Sequence, residues 1–123
     1  MRILFITTLQ ANYLPDLILH GLRKLMGPDV VDFPKKECLY QGILGLAVCP
    51  DDQLWPGWFP SDNGNIDRED IGRKVDTGYL KYIISDYRAL PFLLKNLSSW
   101  PAGLVVVDGE DTSSQIPIGR FCQ

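Results

Sequence analysis

Leu104-Val105-Val106-Val107 is a run of four apolar residues, three of them β-branched, with no polar face. Such a run predicts a strand buried on both sides, and strands of that kind belong to parallel sheets covered by helices. It breaks at once into Asp108-Gly109-Glu110-Asp111, so three carboxylates fall where the strand leaves the sheet. Ligands of open α/β sheets bind outside the carboxyl ends of their strands. The stretch therefore predicts both a fold class and a place for a site.

The rest of the chain repeats the theme. Ile3-Leu4-Phe5-Ile6 reads as a second fully buried strand, closed by Thr7 and Thr8. Leu14, Leu17, Ile18, Leu22 and Leu25 follow at spacings of three and four, which predicts an amphipathic helix. Pro15 and Asp16 suit its first turn, Arg23 and Lys24 its last, and Gly27-Pro28 its stop. Gly21 lies on the apolar stripe, where a missing side chain would let the helix approach the sheet. Val30, Val31 and Phe33 form the next strand, completing a β-α-β unit. Further on, Asn65 is placed to cap a helix through Asp67–Lys74, Tyr79 to Ile84 reads as a strand, and Leu90, Phe92, Leu93 and Leu97 recur at helical spacing. This order predicts a three-layer α/β sandwich with a mostly parallel sheet, Rossmann-like or flavodoxin-like.

Between 35 and 65 the periodicity dissolves into Pro, Gly and aromatic residues. A structureless run of that length inside one domain calls for an explanation. Trp55, Trp58 and Phe59, broken by Pro56, Gly57 and Pro60, either fold back as an apolar cap or line a ligand or partner surface. The 123 residues are of single-domain size. After Asp111 no helix follows the last strand, so the chain reads as the N-terminal portion of something longer.

Several function classes are excluded or disfavoured. A net charge of −3 gives no basic footprint for nucleic acid. No apolar run reaches the roughly 18 residues of a membrane span, and four apolar residues after Arg2 are too few for a signal peptide. Cys38, Cys49 and Cys122 show no C-x-x-C spacing and read as free thiols of a cytoplasmic protein. The first strand exits through Thr7-Thr8-Leu9-Gln10-Ala11-Asn12-Tyr13, with no glycine, so neither a dinucleotide fingerprint nor a P-loop is present. A receiver domain would place an acidic pair at that exit, where Thr7 and Thr8 stand. His20 is the single histidine and sits on the helix flank, which removes His-based metal clusters.

The remaining candidates gather at predicted strand exits. Thr7, Thr8 and Asn12 either cap the first helix or contact a polar ligand at its N-terminus. Asp108, Glu110 and Asp111, with Gly109 permitting a tight turn and Asp86 at the neighbouring strand end, are hard oxygen donors for ligand hydroxyls or a divalent cation, or simply solvated turn residues. No metal is assigned to them.

Tyr13-Leu14-Pro15-Asp16-Leu17-Ile18-Leu19-His20-Gly21-Leu22-Arg23, then Val30-Val31-Asp32-Phe33-Pro34, Arg88-Ala89-Leu90-Pro91-Phe92 and Val106-Val107-Asp108-Gly109-Glu110-Asp111 resemble segments of one group of bacterial glycosyltransferase-like proteins. The resemblance spans Met1 to about Asp111. It implies the N-terminal, acceptor-side domain of a two-Rossmann-domain architecture, inactive alone, whose C-terminal partner domain binds the nucleotide sugar. No cofactor is then implied for this domain, and its own ligand would be a small-molecule or carbohydrate acceptor. The alternative is a stand-alone flavodoxin-like or receiver-like module acting through protein contacts at Trp55, Trp58 and Phe59.

Overall fold

The computed structural model describes residues 1–8, 13–40, 65–96 and 103–108. Four strands, β1 (Ile3–Ile6), β2 (Val30–Phe33), β3 (Tyr82–Asp86) and β4 (Gly103–Val107), form one all-parallel sheet in the order β2-β1-β3-β4. Helices α1 (Tyr13–Met26), α2 (Ile71–Asp76) and α3 (Leu90–Asn96) connect them. The predicted α/β class and parallel sheet are what the chain adopts.

The faces follow from alternation along the strands. Arg23 of α1 bonds Asp32, whereas the adjacent Phe33 packs its ring 5.8 Å from that of Phe92 on α3, so α1 and α3 lie on opposite faces. Ile71 and Gly72 of α2 share a cavity with Phe33 and Phe92, which puts α2 with α3. Crossovers of one hand require this arrangement when the strand order turns back on itself. In-register pairing sets Phe5, Asp32, Ile84 and Val105 on the α1 face and Ile6, Phe33, Ser85 and Val106 on the other. β1 is central and none of its four residues is more than 5% exposed. Ile83, Leu90, Leu93, Val75 and Leu80 complete the core on the α2/α3 side.

Several boundaries differ from the sequence reading, each for a physical reason. The buried stripe of α1 runs through Ile18, Leu19, Leu22 and Met26, while Leu17 and Leu25 are 39% and 85% exposed. A Cβ on Gly21 would meet nothing within 4 Å, so no close helix–sheet approach depends on that glycine. α2 begins at Ile71, not near Asn65, because Arg68 is drawn to Asp32 and Asp70 adopts a left-handed φ of 49°. β3 starts at Tyr82, since the chain before it still closes α2: Gly78, at φ 74°, donates to Val75 O and Leu80 N–H to Lys74 O. β4 is the outermost strand of the described sheet rather than a doubly buried one, and Val105 is 53% exposed. No described helix is long and apolar enough to cross a membrane.

Candidate functional site

The connection from β1 runs to β2 on one side, and the chain then returns past β1 to β3 on the other. The strand order thus reverses between β1 and β3, which in sheets of this type marks the ligand-binding crevice at the carboxyl edge. Thr7 and Thr8 leave β1 here and Asp86 ends β3. Thr7 N–H continues the ladder to Phe33 O at 3.0 Å, and its hydroxyl donates to Pro34 O. Thr8 Oγ1 crosses the crevice to Asp86 Oδ2 at 3.3 Å. The other carboxylate oxygen of Asp86 accepts the Arg88 N–H at 3.0 Å, capping the turn that follows β3.

Asp86 is 2% exposed. Burial pushes its carboxyl above the ordinary carboxylate value and the neighbouring charge of Asp16 adds to the push, while the bonds from Arg88 and Thr8 and the Arg88 charge oppose it. A carboxyl so held exchanges a proton nearer neutrality than a solvated aspartate, as a group acting on ligand hydroxyls requires.

Asp16 stands in the first turn of α1, as expected, and is buried there. Lys36, just beyond β2, is almost completely buried and donates from Nζ to both Asp16 oxygens, at 3.1 and 2.9 Å. A buried ammonium is tolerated only with such a partner. The pair ties the exit of β2 to the start of α1, so Thr8, Asp16, Lys36 and Asp86 gather at the ends of three strands.

A second buried cluster stands behind it. Asp32 is 0% exposed inside β2. Arg23 Nη2 and Arg68 Nη2 donate to its Oδ1 at 2.9 and 2.6 Å, and the Tyr40 hydroxyl donates to its Oδ2 at 2.7 Å. Arg68 Nε also reaches the Asp32 carbonyl at 2.9 Å, while both guanidiniums donate to the Tyr40 oxygen. Burial, reinforced by the Asp32 charge, raises the Tyr40 hydroxyl well above its ordinary value, so it stays a donor. These bonds anchor three segments of chain to one edge of the sheet.

Of the predicted site residues, the structure brings Thr8 and Asp86 together and sets Thr7 beside them, joined to the β2 exit rather than to α1. Asp108 follows β4, one residue past the Asp86–Val107 pairing, and is exposed. Asn12, Gly109, Glu110, Asp111, Trp55, Trp58 and Phe59 lie outside the described residues, so neither their placement at the crevice nor an aromatic partner surface is described. His20 does lie on the flank of α1, half-buried and shifted below its ordinary value by that burial and by Lys24. Among the described residues no three His, Cys, Asp or Glu side chains gather to hold a metal ion.

Sequence reasoning missed Lys36, Asp32, Arg68, Arg23 and Tyr40 as a group. One signal was present: Asp32 interrupts the apolar run Val30-Val31-Asp32-Phe33, and a charge inside a buried strand demands cationic partners. No protein-family model, curated protein or solved structure matches the chain.

Proposed function

We propose that this chain is the acceptor-side Rossmann-like domain of a cytoplasmic glycosyltransferase-like protein, inactive alone, with the crevice between β1 and β3 as its acceptor-hydroxyl site. The observation that carries the reading is Asp86, a buried carboxyl with its proton affinity raised at the strand-order reversal. In this role Asp86 takes or returns the proton of an acceptor hydroxyl, Thr8 orients the carboxylate, and the Asp108–Asp111 exit supplies acceptors for other hydroxyls. The division of labour is supported by the sequence at the first-strand exit, which holds Thr7 and Thr8 and lacks the glycine turn that cradles a diphosphate. The Lys36 ammonium is bound to Asp16. On this reading the nucleotide sugar is bound by a C-terminal domain.

The test begins with the mass of the endogenous protein, by blot with an antibody to this domain. A second domain and its linker bring roughly 100–150 residues or more, so a band about two to three times heavier than 13.9 kDa is expected. In that protein Asp86→Asn should lower glycosyl transfer by about 10²-fold or more, as loss of a general acid–base group does, without lowering the melting temperature. A band at 13.9 kDa, or transfer unchanged by Asp86→Asn, would overturn the reading.

A further inference from the structure

On the opposite face of the sheet from Asp86, a cavity of about 320 Å³ opens between the ends of β1 and β2, the start of α2, and α3. Ile6, Phe33, Ile71 and Phe92 form its apolar lining, and Arg68 and Asp70 supply charge of both signs. We propose that this cavity binds one small planar aromatic ring with an N–H or O–H on its edge, of the indole or phenol class. The inference does not rest on the glycosyltransferase reading, because none of these residues belongs to the Thr8–Asp86 crevice.

Size sets the first limit. Small-molecule pockets begin at about 300 Å³, so this one takes one or two rings and little else. The lining then selects for planarity. The rings of Phe33 and Phe92 stand 5.8 Å apart at 47°, both half-buried, and a third ring extends such a tilted pair favourably. Arg68 is held in place by bonds from Nε and Nη2 to Asp32 and Tyr40, at 2.6 to 2.9 Å. Its guanidinium also lies over the Tyr40 ring, 5.5 Å from the centroid, so it is a pre-positioned flat cation in an aromatic setting, which favours an aromatic ligand over an aliphatic one.

Asp70 supplies the polar contact. Its carboxylate meets Arg73 at 3.2 Å in a pair whose side chains are 65% and 75% exposed, a weak contact that a ring N–H or O–H displaces at little cost. The requirement for a donor on the ring edge follows from this acceptor at the wall.

Indole is the probe, titrated into the full chain with ¹³C-labelled isoleucine methyl groups. The expected result is a saturable ring-current shift of the Ile6 and Ile71 methyl signals, with no saturable response to cyclohexanol. Gly72 lines the cavity and a Cβ there meets nothing within 4 Å, so Gly72→Leu fills the space and abolishes the response while β1 and β3 amide signals stay in place. Phe92→Leu, a milder change, should weaken indole binding about tenfold, or about 1.4 kcal/mol. The proposal is overturned by the absence of a saturable shift up to the solubility of indole, by equal binding of cyclohexanol, or by binding unchanged in both variants.

Discussion

Lys36 and Asp16 show how narrowly a buried ion pair is held. Removing one partner withdraws the counter-charge from a buried ion, whereas removing both withdraws the two charges together. Lys36→Met should therefore cost about 3–5 kcal/mol of unfolding free energy, and the double variant Lys36→Met/Asp16→Leu should recover most of it, both measured by urea denaturation. Recovery of nothing would mean that the pair is not what the two side chains contribute. Asp86 has the opposite sense. Its carboxyl is raised in the fold, so the stability it contributes is fully present below about 3.8, its ordinary value, and is lost as pH rises through the higher folded value. Asp16 is the like charge facing it, and Thr8 and Arg88 are the groups that favour ionisation. Asp86→Asn keeps an oxygen for the Arg88 N–H, so its melting temperature should gain on the wild type as pH rises from 4 to 7. Melting curves across that range decide it, and parallel curves would remove the linkage.

At the scale of elements, α1 is the most legible and also corrects a particular expectation. Its limits could be read from Pro15, Asp16 and the Gly27-Pro28 stop, but its rotation could not, because the leucines outnumber the places on the buried stripe. Leu19 is fully buried and Leu25 is 85% exposed, a distinction made by the sheet beneath and not by hydrophobicity. Gly21, with open space around its Cβ, is replaceable: Gly21→Ala should stabilise by about 0.5–1 kcal/mol, the ordinary helix preference, measured by thermal or chemical unfolding. A loss would mean that the helix meets something at that position. α2 departs from its local sequence for a different reason. Its acidic start and basic end describe a good helix from Asp67, but Arg68 is claimed by Asp32, which lies 36 residues earlier. Local propensity loses to a buried charge that needs a partner.

For the whole molecule, the parallel sheet was legible, and so was the position of Thr8 and Asp86 at its carboxyl edge, because apolar runs and their exits are local features. The strand order was not, and it decides which strand is central. Four apolar residues at 104–107 read as doubly buried, yet β4 takes the outer position among the described strands. Val105→Thr should consequently change stability by no more than about 0.5 kcal/mol, whereas Ile83→Ala in β3 should cost about 2–4 kcal/mol, both read from chemical denaturation. Equal costs would place β4 in the interior. The crevice charge was equally hidden, since Asp16, Lys36 and Asp86 come from three separate segments and meet only once the sheet is assembled. That assembly has a consequence for solution chemistry. Five of the six lysines keep accessible side-chain surface or lie on the outside, whereas Lys36 is 1% exposed and ionically held. An acylating reagent should modify Lys24, Lys81 and Lys95 quickly and reach Lys36 only when the molecule opens. The rate at which that one amine is labelled would then be a clock for unfolding, written into the native chain without any added probe.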